Sequence, residues 1–299
     1  MDKANKTIVV AELGQNWNGD FDLLIEMTDS AFNCGVDYTK LQLRTPRKCV
    51  PKNQWDKPGQ WLDGSTLSYI EYRERLEITV EDLTRYDNYV KSKYGNRWFP
   101  SIWDLDSLTR ATAFVVPYLK IPSALITNLD LVRAVKDTGI PAVFSTGMST
   151  EDEVEKAAQI FPWDYDLTIL YCNSTYPTPD EGVDLLGIGY LNQMCYTGNI
   201  ESSGAGEAGR TKWKVGFSSH HISPYIPVYA SILGAEMVEV HFTLSRAMWG
   251  SDQSASVEPP GLSLLCREIK RIPTLLGKPQ IKLYESELSK RASLRGNLN

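Results

Sequence analysis

The chain has 299 residues, of which 42% are hydrophobic and 23% charged; this composition is typical of a folded globular protein and excludes a disordered or collagen-like chain. The formal net charge is -6, and because no basic surplus or stripe is present we expect no nucleic-acid partner. No apolar stretch approaches the roughly 18 residues that span a bilayer, and the first six residues lack the apolar core of a signal peptide. The five cysteines have no metal-type spacing. We therefore expect a cytoplasmic protein without a membrane partner.

Short β-rich runs recur along the chain, and segments with helical periodicity, such as Phe21–Asn33 and Val80–Tyr94, lie between them. Asp20 is suited to cap the first helix and Gly35 to end it. Strands that alternate with helices favour parallel βαβ units, and eight such units predict an α/β protein with a single (β/α)8 TIM barrel. The eight runs are Thr7–Leu13, Asp37–Leu43, Arg97–Ile102, Tyr118–Ile121, Pro141–Thr146, Leu167–Cys172, Trp213–Phe217 and Glu236–Phe242.

Alternation within the runs supports a closed barrel. In the second run Lys40 and Gln42 point to the side opposite Leu41, and in the last run Glu239 and His241 share one side. Polar residues near the C-terminal ends of barrel strands face the mouth, where the active sites of such barrels lie. A doubly wound open sheet is the alternative, but the turn after the first run lacks the glycine pattern that it would need.

Two long connections interrupt the regular pattern, at residues 44–79 and 196–212. The first contains two tryptophans together with prolines and glycines, and the second is rich in serine and glycine. Long loops at a barrel mouth are often lids, and they are equally often plain surface insertions. The sequence leaves both interpretations open.

The three histidines, His220, His221 and His241, fall within 22 residues. In the barrel, His220 follows the seventh strand and His241 ends the eighth, so the two imidazoles lie on adjacent strand ends about 5 Å apart. Together with oxygen ligands and water they are suited to Mn²⁺, Mg²⁺ or Zn²⁺. A structural or surface role for the histidines is the alternative.

Lysine in an apolar strand indicates an anion site. Lys40 and Lys120 each need an anionic partner or a lowered pKa when buried, and both pointing into one mouth would bind a phosphate or a carboxylate. Hydroxyl donors near strand ends can add to this site, although each alone is equally consistent with a structural role; they are Ser101, Ser123, Ser145 and Ser218.

Carboxylates and amides at the same end of the barrel are suited to a polyol. Glu12 ends the first run and Asp252 follows the last; each can position a hydroxyl or transfer a proton, or act only as a cap or ion-pair partner. Asn16, Gln42 and Tyr176 are suited to hydroxyl recognition, and each has a structural alternative.

The sequence also resembles the sialic acid synthase family, which makes nonulosonic acids, in an ordered series of motifs over residues 8–275. The tetrapeptide Ser145–Met148 (S-T-G-M) matches that family outright, and the series as a whole is strong evidence of homology. The other matching segments are Ala11–Gly19 (A-E-L-G-Q-N-W-N-G), Lys40–Gln42 (K-L-Q), Lys120–Ser123 (K-I-P-S), Tyr176–Pro179 (Y-P-T-P), Gly216–His220 (G-F-S-S-H), His241–Leu244 (H-F-T-L) and Ala255–Pro259 (A-S-V-E-P).

The resemblance implies a barrel that condenses phosphoenolpyruvate with an N-acylated amino sugar, giving a nonulosonic acid and phosphate. It implies that His220 and His241 bind a divalent metal, typically Mn²⁺. It further implies two groups of substrate contacts. Phosphoenolpyruvate would be held by Lys40, Lys120, Ser101, Ser123, Ser145 and Ser218, and the sugar or a metal-bound water by Glu12, Gln42, Tyr176 and Asp252.

Several residues depart from the family pattern. Where the family has an acidic residue that could transfer protons, this chain has Leu125. Where the family has an aspartate and a histidine, this chain has Ser219 and Trp17. The loss of polarity at Trp17, Leu125 and Trp249 predicts a more apolar or smaller acceptor pocket.

The resemblance also predicts the domain organisation: a barrel over residues 1–285 and a tail over 286–299, without the small antifreeze-like domain that follows in the family. In the family this domain is swapped between subunits, so its absence argues against the swapped dimer; a homodimer of another kind and a partner chain that supplies the domain are both left open. Two alternatives to the active synthase remain: a catalytically impaired homologue or regulatory subunit that binds the same ligands, and a related aldolase or synthase that makes a different keto sugar acid.

Overall fold

Eight parallel strands close into a barrel in a computed structural model that describes residues 7–197 and 213–295. Around the barrel each strand pairs with the barrel strand that follows it along the chain, and the last pairs with the first. This confirms the predicted (β/α)8 architecture. The barrel strands are β1 (Ile8–Gly14), β2 (Tyr38–Leu43), β5 (Trp98–Ile102), β6 (Leu119–Ile121), β7 (Ala142–Ser145), β8 (Leu167–Cys172), β9 (Lys214–Ser219) and β10 (Met237–His241).

Helices surround the barrel and begin and end where the capping residues dictate. Asp20 accepts hydrogen bonds from the backbone of Asp22 and Leu23, and Gly35 ends the helix with φ 100°, a left-handed conformation that glycine adopts without strain. The helices are α1 (Phe21–Cys34), α2 (Pro46–Cys49), α3 (Tyr69–Arg75), α4 (Val80–Tyr94), α5 (Leu105–Ala111), α6 (Leu129–Asp137), α7 (Glu151–Ala158), α8 (Leu186–Thr197), α9 (Tyr225–Ile232), α10 (Pro259–Leu276) and α11 (Leu288–Arg295).

The core lies in the layer between strands and helices. Leu41 and Leu43 of β2 belong to this buried layer, whereas Lys40 and Gln42 of the same strand face the barrel interior. On β10, Val238 belongs to the core in the same way. The period of two therefore separates packing residues from mouth-facing residues on each strand, as the sequence predicts.

The connection at residues 44–79 is folded. It contains α2, α3 and an antiparallel hairpin of β3 (Pro58–Gln60) and β4 (Thr66–Ser68). Trp61 of this hairpin region contacts Tyr72 of α3 and Trp249 from the loop after β10, with ring centroids 6.1 and 5.4 Å apart. Aromatic pairs of this kind stabilise the packing of the connection against the mouth. The other long connection lies mostly outside the described residues, which stop at the end of α8 and resume at Trp213.

After α10 the chain runs over the surface, and α11 has no buried residue. No helix in the described ranges is long and apolar enough to cross a membrane.

A glycine in β9 provides a test of the barrel packing. A Cβ at Gly216 would lie 2.4 Å from the backbone oxygen of Met237 and 2.5 Å from Leu170 Cδ2. We expect Gly216→Ala to lower the free energy of unfolding by about 3 kcal/mol, because a neighbouring strand must shift. Urea denaturation measures this. Gly189→Ala is the control: its Cβ would meet nothing within 4 Å on exposed α8, so we expect a gain of about 0.5–1 kcal/mol. Equal stability of the two variants would contradict the packing.

Candidate active site

A cavity of about 230 Å³ lies at the C-terminal mouth of the barrel. All the predicted site residues line it except Asn16 and Asp252. The lining residues are Glu12, Lys40, Gln42, Ser101, Trp103, Lys120, Pro122, Ser123, Ala124, Ser145, Met148, Cys172, Ser174, Tyr176, Ser218, His220, Glu239 and His241.

The strand register brings these side chains together. Glu12 of β1 is the register partner of both Lys40 on β2 and His241 on β10. Ser101 of β5 pairs in the same way with Gln42 on one side and Lys120 on the other. Residues far apart in sequence thus face one space because barrel strands lie about 5 Å apart.

The floor of the cavity is a buried cluster of two lysines and two glutamates. Lys120 Nζ lies 3.0 Å from both carboxylate oxygens of Glu239. Lys40 Nζ lies 2.5 Å from Glu12 Oε2 and 3.5 Å from Glu239 Oε2. At most 6% of any of these four side chains is exposed. Burial of unpaired charges would cost several kcal/mol each, so the four charges depend on one another.

Glu239 is the residue that sequence reasoning missed. It contacts both lysines and accepts a hydrogen bond from Ser218 Oγ at 3.1 Å. The signal was available, because alternation in β10 places Glu239 on the same face as His241. The sequence interpretation instead treated a bound ligand as the anionic partner that the buried lysines need.

The electrostatics of the cluster keep it charged. Burial alone would raise the pKa of Glu239, but the two lysines hold this pKa well below its usual range. Burial would likewise lower the pKa of Lys40, yet Glu12 and Glu239 raise it. Lys120 differs, because burial and repulsion from Lys40 lower its pKa despite Glu239. An added anion beside the two lysines would favour the charged form of both.

Hydroxyl groups in the cavity can form further hydrogen bonds. Ser145 Oγ is buried and has no hydrogen-bond partner within residues 7–197 and 213–295. The turn that follows is tightly packed: a Cβ on Gly147 would lie 2.1 Å from Ser174 Oγ and 2.9 Å from Ser123 Oγ. A larger residue at this position would push the hydroxyl groups of the two serines out of their present positions, which gives the glycine of the S-T-G-M motif a physical role.

The two histidines lie side by side, with ring centroids 5.2 Å apart. The Nδ1 of His220 lies 2.7 Å from the Asn173 carbonyl oxygen; because a carbonyl only accepts, Nδ1 carries the proton and Nε2 is free to bind a cation. Burial lowers the pKa of His241, more than Asp252 raises it, and favours the neutral form that metals bind. His241 Nδ1 is buried without a hydrogen-bond partner in the described chain.

This donor set fits a divalent cation in part. His220 and His241 supply two imidazoles, and Asp252 Oδ2 lies 3.8 Å from His241 Nδ1. Within the described residues no three histidine, cysteine or acidic side chains converge closely enough to hold an ion by themselves. A cation there would complete its coordination with water or substrate oxygens, as open catalytic sites do.

Asn16 has a structural contact set. Its side-chain amide donates to the Phe242 carbonyl oxygen and to Ser256 Oγ, each at 2.8 Å. It therefore joins the ends of β1 and β10 and does not line the cavity. Asp252 lies beside the cavity rather than in its wall, with its Oδ1 accepting from Ser251 Oγ at 2.7 Å.

Three of the residues that depart from the family pattern do not line the cavity, whereas Ala124, which replaces a glycine of the family, does. Leu125 packs against the core, and Trp17 is buried with its Nε1 donating to the Gly14 carbonyl oxygen. Trp249 belongs to the aromatic cluster with Trp61. None of these three lines the 230 Å³ cavity, so the predicted apolar acceptor pocket would have to lie outside it.

A larger groove of about 590 Å³ adjoins the cavity and shares Met148, Cys172 and Ser174 with it. The residues of the described chain that line this groove include no lysine, arginine or histidine. The groove therefore offers polar and apolar surface and the Glu151 carboxylate beside the smaller cavity, which holds the lysines and histidines.

Comparison with known proteins identifies the family. A family model described as the NeuB family matches residues 27–281. The chain belongs to the NeuB family. It is similar to N,N'-diacetyllegionaminic acid synthase of Campylobacter jejuni, with 28% identity over 94% of this chain and 81% of that protein. It is similar to human N-acetylneuraminate-9-phosphate synthase, with 28% identity over 94% of this chain and 74% of that protein.

Solved structures agree with this family. The N-acetylneuraminic acid (sialic acid) synthetase of Leptospira borgpetersenii superposes with a TM-score of 0.79 and 25% identity, covering 98% of this chain and 93% of that one. The truncated 3-deoxy-D-arabino-heptulosonate 7-phosphate synthase of Thermotoga maritima shares the fold, with a TM-score of 0.60 at 12% identity. The resemblance to sialic acid synthases predicted from the sequence is confirmed.

The charge cluster makes a prediction for stability. Glu239→Gln removes the carboxylate that Lys120 contacts, so we expect a loss of about 3–5 kcal/mol at about pH 7. Since the uncompensated lysine must lose its proton in the folded state, the variant should regain stability as the pH rises toward about 9.5. Urea denaturation at both pH values measures this. Glu74→Gln, which removes a surface partner of Arg47, should change little; equal effects of the two variants would contradict the cluster's role.

Proposed function

We propose that this NeuB-family protein is a synthase that condenses phosphoenolpyruvate with an N-acylated amino sugar resembling N-acetylmannosamine, giving a sialic-acid-type nonulosonic acid and phosphate. The observation that carries this proposal is the pairing, in one cavity, of a buried lysine cluster with two adjacent histidines. One half of the cavity suits an anion, and the other suits a cation that binds a carbonyl oxygen.

The anion half consists of Lys40, Lys120 and the serine hydroxyls. Each ammonium has three N–H donors, so Lys120 keeps a donor after its two contacts with Glu239. The unpartnered hydroxyl of Ser145 adds a further donor; Ser101, Ser123 and Ser218 line the same wall. These groups would neutralise the phosphate and carboxylate of phosphoenolpyruvate and fix its orientation.

In the other half, His220 and His241 would hold a divalent cation, for which Mn²⁺ is our first choice and Mg²⁺ the alternative. When bound, such a cation polarises a carbonyl oxygen as a Lewis acid. The hydroxyl groups of an open-chain sugar would be positioned by Gln42, Tyr176 and Asp252. Gln42 is itself held by Glu12, since its Nε2 donates to Glu12 Oε1 at 3.0 Å.

The reaction balances with these groups. The methylene carbon of phosphoenolpyruvate forms a bond to the aldehyde carbon of the sugar, and the aldehyde oxygen takes up a proton. Water adds to C2 and gives up one proton. The C2 hydroxyl group then passes its remaining proton to the phosphate as the C2–O bond to phosphate breaks, and C2 becomes the keto carbon. Glu12 lies beside both the lysine cluster and His241, so we assign proton transfer from water to this carboxylate. The lysines stabilise the departing phosphate.

Substitution of the histidines tests the proposed site directly. With phosphoenolpyruvate and N-acetylmannosamine, we expect phosphate release that depends on the sugar and a product whose mass equals sugar plus pyruvate. His220→Ala and His241→Ala should each lower kcat/KM at least about 100-fold. The control is His221→Ala, because His221 contacts Asp180 and Ser223 and does not line the cavity. Comparable losses in all three variants would refute the assignment.

Removal of metal gives a separate prediction. Dialysis against a chelator should abolish phosphate release, and added Mn²⁺ should restore it, because carbonyl polarisation is lost without the cation. The bound cation can also be counted by elemental analysis of the wild-type chain and the two histidine variants. Full activity after chelation would exclude the cation. A folded protein that binds phosphoenolpyruvate but turns over no acceptor would instead favour an impaired, ligand-binding homologue.

A further inference from the structure

A third pocket, of about 260 Å³, lies between the start of the 44–79 connection and α3. Trp103 lines both this pocket and the 230 Å³ cavity at the barrel mouth, which we call the central cavity. Of the described residues, those that line it include two arginines and no carboxylate; they are Arg44, Pro46, Cys49, Val50, Pro51, Gln54, Tyr69, Arg73 and Trp103.

Arg44 is buried, with 4% of its surface exposed. Its Nε donates to Glu77 Oε1 at 2.7 Å, but its Nη2 has no hydrogen-bond partner among the described residues. A buried guanidinium nitrogen without an acceptor is costly. Glu77 therefore satisfies Nε of Arg44 and leaves its Nη2 without an acceptor in the described part of the chain.

Arg73 places a second positive charge in the same pocket. Its Nη1 donates to Gln15 Oε1 at 2.9 Å, which is a neutral partner. Burial, followed by repulsion from Arg44, lowers the pKa of Arg73. The other nearby acid, Asp104, is already occupied by Thr45, Ser107 and Cys49. Glu77 attracts both arginines but accepts a hydrogen bond only from Arg44, so within the described residues the two guanidinium groups share no hydrogen-bond acceptor.

Trp103 adds a third donor. Its Nε1 is buried without a partner in the described part of the chain, and the Arg44 guanidinium lies 5.0 Å from its ring centroid. Two unpartnered buried N–H groups and a partly satisfied second arginine form the donor set that a planar or tetrahedral oxyanion accepts from.

We propose that this pocket binds an oxyanion, either a phosphate or a carboxylate group. The binding itself does not depend on the proposed function; only the source of the group does. Since Trp103 separates the pocket from the central cavity, the oxyanion belongs either to the sugar acceptor or to a separate metabolite, and the two sources can be distinguished by experiment.

Titration of inorganic phosphate into the full chain, followed by calorimetry, tests the pocket. We expect Arg73→Gln and Arg44→Gln each to weaken one binding event at least ten-fold. Ser145→Ala should weaken only a separate event in the central cavity, and Arg133→Gln, on the exposed face of α6, should weaken neither. Circular dichroism checks that the variants fold; Arg73→Gln, which leaves the Arg44–Glu77 pair intact, keeps the test valid if Arg44→Gln does not. Wild-type phosphate affinity in a folded Arg73→Gln variant would overturn the proposal.

Steady-state kinetics with phosphorylated and unphosphorylated sugars identify the molecule that carries the oxyanion. If the acceptor carries the oxyanion, Arg73→Gln should raise KM at least ten-fold for an N-acylhexosamine phosphate and leave KM for the unphosphorylated sugar unchanged. If phosphate binds but neither KM changes, the pocket takes a separate metabolite. If no sugar is turned over at all, the synthase assignment fails, while the phosphate titration still decides whether the pocket exists.

Discussion

The ion pairs of Lys40 and Lys120 with Glu12 and Glu239 are the constraint on which the rest of the site depends. Four charged groups lie in the barrel interior with almost no exposure to water, and each charge is stable only because the others are present. The cluster fixes the positions of Gln42 and Ser218 through the hydrogen bonds that its carboxylates accept. A preorganised polar floor of this kind does not have to be rebuilt when a ligand binds.

The barrel supplies this floor without loop flexibility. Lys40, Lys120 and Glu239 project from strands whose outward-facing neighbours, such as Leu41 and Val238, pack against the helices. The packing of the core and the position of the ionic groups are thus consequences of the same alternation. By contrast, the histidines lie at strand ends and the arginine pocket lies in a connection, where sequence can vary with less effect on the barrel.

Several site residues followed from the sequence because their spacing placed them at strand ends; Lys40, Lys120, His220 and His241 are examples. Glu239 was not selected, although alternation places it on the face of His241, because a bound ligand was taken as the anionic partner of the lysines. Asn16 was assigned to the site because its amide suits hydroxyl recognition, whereas the amide is used to join β1 to β10. The type of a residue does not distinguish a ligand contact from a structural hydrogen bond.

The sequence by itself determined the repeating strand–helix order, the face of each strand and the family, because these depend on local periodicity and collinear motifs. Only the tertiary structure decided which charges pair, that Arg44 and Arg73 share a pocket, and that Leu125 lies outside the cavity. Those facts depend on strand register and on contacts between residues far apart in sequence; Lys120 and Glu239, for example, are separated by 119 positions. Local patterns carry no information on such distances until closure of the barrel fixes them.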